Sequence, residues 1–396
     1  MNLDFADRVE RVEPSATIAI SNLSAELEAD GVDVVDLSVG EPDFPTPENV
    51  VQAGKDAIDA GHTGYAPSNG IPALKQAIVD KLGSDGLDHT TDEVIVTPGG
   101  KQALYEVFQA LIDDGDEVVL LDPAWVSYEA MTRLAGGSIS RVDTSDADFQ
   151  LEPVLDDLAA TVSDETELLV VNSPNNPTGA VYSDAALGGV RDLAVEHDIT
   201  VISDEIYKEV VYDISPTSLG ALEGMGDRTV TLNGFSKAYS MTGWRLGYFA
   251  GPAELVGQAG KLHSHSVTCA TNFVQHAGVE ALRNTDDAVV EMRDAFHERR
   301  DMLVDLFADY GTDVVVPDGA FYMMLPVAED CAALRAAGTG DEPVDQAWCE
   351  GAIEDAHVAT VPGSAFGTPG LARLSYAASE ERLREGVERL ADEGYL

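Results

Sequence analysis

The sequence predicts an α/β protein: a large unit built on a mainly parallel sheet, followed by a smaller α+β unit. Three observations carry this reading. Between residues 94 and 250 short apolar runs alternate with amphipathic segments of helical period, the pattern of strands joined by crossover helices. Polar residues gather just after these runs, as they do beyond the carboxyl edge of an open sheet. After Pro252 the texture changes to a long charged helix and a second set of short strands.

Taken in order, the first forty or so residues hold one helix and an extended piece. That is too little to fold alone, so they complete the smaller unit or reach to a partner subunit. Strands are expected over 93–97, 117–121, 167–172, 200–203, 229–232 and 246–250. In 101–112, Ala103, Leu104, Val107, Phe108 and Leu111 recur at helical spacing behind Pro98-Gly99-Gly100, so a helix begins beside those glycines. A charged helix over about 285–310 links two domains. Strands follow at 314–316, 320–325, 357–361 and 371–376, then a closing helix from Ser379. The expected division is an N-terminal arm (1–47), a large domain (48–285) and a small domain (286–396).

Charge narrows the function. The 396 residues carry 71 Asp+Glu against 23 Lys+Arg, a formal charge of −48. Such a chain is repelled by phosphate backbones and anionic lipid, which argues against nucleic-acid or membrane partners. At 44% hydrophobic residues it is not disordered. The acidic excess runs through the whole chain, with only seven lysines, and self-repulsion of this size calls for screening by concentrated salt. The cytoplasm of a salt-accumulating organism is therefore expected. Residues 1–13 lack an apolar core for a signal peptide, and no run reaches membrane-span length. Cys269, Cys331 and Cys349 form no Cys-x-x-Cys pair, so neither a disulfide framework nor a metal site is indicated.

The polar residues after the strands read as one group. Asp122-Pro-Ala-Trp125, Asn172-Ser-Pro-Asn175, Ser203-Asp204-Glu-Ile-Tyr207 and Asn233-Gly-Phe-Ser-Lys237 bring an indole, an amide, a carboxylate, a phenol and a lysine to one crevice. Gly99-Gly100-Lys101 offers helix N-terminal N–H groups to a phosphate. No Gly-x-Gly-x-x-Gly, Walker A or His-Glu-x-x-His pattern occurs. A lysine near a carboxylate, a phenol and a phosphate cradle is what pyridoxal 5′-phosphate requires.

Gly234-Phe-Ser-Lys237-Ala-Tyr-Ser-Met-Thr-Gly-Trp-Arg245-Leu-Gly247 resembles the cofactor-attachment segment of class I pyridoxal-phosphate aminotransferases of fold type I, in the subgroup with thermophilic bacterial aspartate aminotransferases. Gly40-Glu-Pro-Asp-Phe, Gly64-Tyr65-Ala-Pro, Gly99-Gly-Lys-Gln-Ala-Leu, Asn172-Ser-Pro-Asn175-Asn-Pro-Thr-Gly, Ser203-Asp-Glu-Ile-Tyr207 and Arg373-Leu-Ser-Tyr support it over almost the whole chain. The resemblance implies a seven-stranded, mainly parallel sheet with helices on both faces, and a homodimer with shared sites. It implies that Lys237 attaches the cofactor and shuttles the proton, and that Asp204 pairs with the pyridine nitrogen. Tyr207 and Asn175 then bond the cofactor phenol oxygen while Trp125 stacks on the ring. Gly100, Lys101 and Arg245 bind the phosphate, with Tyr65 reaching it from a neighbouring subunit. Arg373 and Gly40 take the substrate α-carboxylate, in contact also with Trp125 and Asn175. Gly234 departs from the pattern, since many relatives have a phosphate-binding serine there.

The Gly-Gly-Lys-Gln-Ala-Leu segment and Pro14-Ser-Ala-Thr17 match relatives in which the lysine meets a distal substrate carboxylate. The expected reaction is therefore ping-pong transamination of L-aspartate with 2-oxoglutarate, giving oxaloacetate and L-glutamate. Aromatic amino acids, alanine or prephenate are alternative substrates, and a lyase or a non-enzymatic effector domain are alternative uses of the fold. A DNA-bound effector domain fits poorly with so acidic a chain.

Overall fold

A computed structural model describes residues 4–14, 16–327, 331 and 343–396. A short strand β1 (Val35–Asp36) is followed by β2 (Val94–Thr97), β3 (Glu117–Asp122), β4 (Ser138–Asp143), β5 (Thr166–Asn172), β6 (Thr200–Asp204), β7 (Thr229–Gly234) and β8 (Gly247–Ala250). The last seven form one sheet in the order β2-β8-β7-β6-β5-β3-β4. Only β8 runs antiparallel to its neighbours β2 and β7. Crossover connections of this kind explain why the buried strands read as unbroken apolar runs.

Successive residues of β3 point to opposite faces. Val118 and Leu120 pack with Leu104, Val107 and Phe108 of the helix Gly100–Leu111. Val119 and Leu121 pack with Leu187, Val190 and Ala194 of the helix Asp184–His197. Helices thus cover both faces. β4 was not expected. It is an edge strand of sequence SISRVD whose only buried residue is Val142, so it carries no apolar run.

The remaining strands are β9 (Tyr322–Pro326), β10 (Val358–Ala359), β11 (Val361–Pro362) and β12 (Leu371–Ser375). β11, β12 and β9 form an antiparallel sheet, while β10 pairs in parallel with β1. The expected strand over 357–361 is therefore split between two sheets at Thr360. The strand expected at 314–316 does not form. That segment joins no ladder, and Val316 is about half exposed. The long helix Asp286–Asp309 and the closing helix Glu380–Asp392, capped by the Ser379 side chain, enclose a core of Phe296, Leu303, Phe321, Trp348 and Val387. Val35 and Leu37 from the N-terminal segment insert into that core. Among the described residues no helix is long and apolar enough to cross a membrane.

Candidate active site

Asp122, Asn172, Asp204 and Gly234 end β3, β5, β6 and β7 along one edge of the sheet. Beyond that edge lies a cavity of about 440 Å³. Of the residues expected to bind cofactor or substrate, all line it except Asn175 and Tyr65. Ile18 and Ser21 of the helix Ala16–Ala29 also line it, while Ser15 of the expected Pro14-Ser-Ala-Thr17 segment lies outside the described residues.

Lys237 lies just beyond β7 and is partly buried, and its ammonium donates to the Gly40 carbonyl. Burial first, then the Arg373 guanidinium, push its pKa down to about 8. A neutral amine is therefore available at lower pH than for an ordinary lysine near 10.4. Capture of an aldehyde by the apoprotein is expected to speed up as pH rises towards about 8 and to level off above it. A reconstitution-rate profile that still climbs to about pH 10 would show that Lys237 is an ordinary lysine. The loop above it is tied down by Arg299, which donates to both oxygens of Asp43 at 2.7 and 2.9 Å.

Asp204 is buried at the end of β6. Its carboxylate accepts from the Tyr128 hydroxyl at 2.7 Å and from the Ile206 amide at 3.2 Å. Burial raises its pKa to about 6 against these hydrogen bonds, so it is an anion at neutral pH. Tyr128 escaped the sequence reading although it sits three residues after Trp125, the spacing that puts two side chains on one helix face. The Tyr207 hydroxyl is 2.9 Å from that of Tyr322, and burial raises the pKa of both phenols.

Two places suit anions. Gly99 has a φ of +87°, and a Cβ there would come within 2.5 Å of Arg245 Nη2, so only glycine lets the guanidinium lie over the helix start. The first N–H groups of that helix have no partner within it. Arg373 is buried, donates to the Ser38 carbonyl at 2.6 Å and to Asn176 Oδ1 at 3.1 Å, and leaves Nε without a partner. Among the described residues no carboxylate forms an ion pair with it, despite the acidic excess of the chain. On the same cavity wall, Lys101 holds its ammonium 4.6 Å from the Trp125 ring.

Asn175 lies behind the cavity. Its Oδ1 accepts from the Thr178 amide (3.1 Å) and hydroxyl (3.0 Å), and its Nδ2 donates to the Pro123 carbonyl at 3.4 Å. The side chain expected to face a cofactor is thus engaged in its own turn, and the neighbouring Asn176 faces the cavity instead. Tyr65 is 88% exposed and away from the cavity.

A family model described as "Aminotransferase class I and II" matches residues 32–390. The chain belongs to that family. The aminotransferase is 44% identical over 392 residues to a Thermus thermophilus protein named "Aspartate/prephenate aminotransferase", covering 97% of each chain. It is 40% identical to an "Aspartate aminotransferase" of Bacillus sp. strain YM-2, covering 98% of each. Among solved structures, the Thermus thermophilus aspartate aminotransferase with maleate superposes with a TM-score of 0.91 at 41% identity, over 99% of this chain and 100% of that one.

Aminotransferases of this class use pyridoxal 5′-phosphate, and the residues present fit it. The depressed Lys237 amine, the buried Asp204 anion and the glycine-lined helix start under Arg245 supply an amine, an anion and a phosphate cradle. Arg373 lines the same cavity, and the second N–H of each Nη remains beyond its bonds to Ser38 and Asn176 as a donor for a carboxylate.

Proposed function

We propose that this aminotransferase passes the amino group of L-aspartate to 2-oxoglutarate, giving oxaloacetate and L-glutamate in a ping-pong cycle. The observation that carries the amino-acid part of this reading is Arg373, a buried guanidinium on the cavity wall that pairs with no carboxylate among the described residues. A planar fork of this kind takes a carboxylate through two parallel hydrogen bonds. Lys101, on the cavity wall beside Trp125, takes the distal carboxylate of a dicarboxylic substrate.

Pyridoxal 5′-phosphate supplies an electrophilic aldehyde and a ring that spreads negative charge. The chain does the rest. Lys237 Nζ would attach the cofactor and, once the substrate amine had displaced it, would be free to take the proton from the substrate Cα and deliver it to the cofactor C4′. Asp204, oriented by Tyr128, faces the pyridine nitrogen as an anion and keeps it protonated. Tyr207 serves the phenol oxygen together with Asn176, the amide that lines the cavity in place of Asn175, and Trp125 covers the ring. Gly100, Lys101 and Arg245 hold the phosphate, and the exposed Tyr65 reaches the phosphate of a neighbouring subunit in a homodimer. Gly40 brings loop backbone to the α-carboxylate.

The division into an arm (1–47), a large domain (48–285) and a small domain (286–396) is supported by a core around Phe296 and Trp348 built mostly from residues after 286, which Val35 and Leu37 of the arm and Tyr207, Val210 and Tyr212 of the large domain also join. The charge of −48 supports the cytoplasm of a salt-accumulating organism as the setting. Absorbance of the holoenzyme in concentrated KCl tests the substrate. L-Aspartate is expected to convert the visible cofactor band, and 2-oxoglutarate to restore it. A band that ignores aspartate but responds to alanine or aromatic amino acids overturns the assignment, and release of pyruvate or ammonia makes the protein a lyase. The name of the Thermus relative makes prephenate the second acceptor to try.

A further inference from the structure

Between Arg373 and Tyr207 stands a buried phenol with no role so far, Tyr322. It begins β9, whose register sets Tyr322 opposite Ser375 and Met324 opposite Arg373. Tyr322 and Arg373 are therefore diagonal neighbours on one face of the sheet. The guanidinium lies 4.6 Å from the centre of the Tyr322 ring, and the hydroxyl lies 2.9 Å from that of Tyr207. A Cβ on Gly40 would come within 2.8 Å of the same hydroxyl, so the glycine whose carbonyl accepts from Lys237 is also the one that makes room for Tyr322. One phenol, 1% exposed, thus touches the carboxylate site, the second phenol and the loop over the lysine.

Two hydroxyls at this distance share one hydrogen bond, and only one of them can donate in it. The cation across the Tyr322 ring draws charge from its oxygen and favours Tyr322 as the donor. Tyr207 has no other hydrogen-bond partner for its hydroxyl among the described residues and lines the cavity. As acceptor from Tyr322, it has its own proton free to point into that cavity. We propose that Tyr322 is a positioning residue: it donates to Tyr207 so that Tyr207 presents its hydroxyl hydrogen to the cofactor, and it links that phenol to the carboxylate site at Arg373. The inference rests on the reading that Tyr207 contacts the cofactor.

Tyr322→Phe keeps the ring over Arg373 and removes only the hydroxyl. The readout is the pH titration of the visible cofactor band of the holoenzyme without substrate, which a packing role would leave unmoved. The midpoint is expected to shift by about one pH unit, and kcat/KM for aspartate to fall about tenfold, mostly in kcat. In a Tyr207→Phe background the same substitution is expected to leave the midpoint within roughly 0.3 unit, because the two residues act as one unit. A Tyr322→Phe titration that matches the parent overturns the inference, and so does a shift that persists in the Tyr207→Phe background. A Tyr207→Phe protein that titrates like the parent removes the premise about Tyr207 itself, and the inference with it.

Discussion

Lys237→Ala is expected to lower transamination by on the order of 10⁴-fold or more, because on the proposed reading one amine both holds the cofactor and moves the proton. Three polar neighbours of Lys237 cannot substitute for it. Asp204 is fastened to Tyr128, Tyr207 is a phenol whose pKa burial drives well above the ordinary value, and Arg373 stays charged at any working pH. None offers a free base able to reach the substrate Cα. Lys237→Arg is expected to be as inactive, since it keeps the charge and has no neutral amine to give. The phosphate site proposed at Gly100 and Arg245 is untouched in both variants, so weak, dialysable cofactor binding is expected to survive. A Lys237→Ala protein retaining more than roughly a hundredth of the parental rate would show that the proton is carried elsewhere.

Transfer from molar KCl to low salt is expected to lower the melting temperature by on the order of 10 °C or more and to abolish activity. If each of the 23 basic residues neutralised one acid, 71 − 23 = 48 carboxylates would still face like charges. Arg382 and Arg389 already stand where two acids meet, each pairing with both Asp33 and Glu385. At 1 M salt the screening length is about 3 Å, shorter than the spacing of neighbouring surface charges, whereas at 0.1 M it is about 10 Å and repulsion sums over many of them. A melting curve and a specific activity unchanged after dialysis would contradict this account.

The central sheet was legible because its buried strands are apolar on both faces, as in Val118–Leu121 of β3. β4 was not, since an edge strand with one buried side chain has no such run. The short strands of the C-terminal sheet were found with loose ends, their bounds being set by partners distant in sequence. In the site, the residues met after strand ends were legible because the sheet itself aims them. Tyr322 and Asn176 were not. Tyr322 sits in Ala320-Phe321-Tyr322-Met323-Met324-Leu325, where every side chain is buried and nothing separates a core phenol from a functional one. Asn176 and Asn175 are adjacent amides, and only the fold of their turn decides which faces the cavity.

The hydrogen bond from Arg373 to the Ser38 carbonyl joins residues 335 apart. It also orders events during synthesis. All strands of the central sheet lie between Val94 and Ala250, so that layer can assemble while the rest of the chain is still being made. The segment carrying Ser38 and Gly40, although made first, must wait, because β1 pairs with β10 and Leu37 enters a core completed by the closing helix. A nascent or truncated chain ending before β12 has Lys237 and lacks Arg373, the guanidinium proposed to hold the substrate carboxylate. The protein becomes competent for its reaction only when its two ends meet.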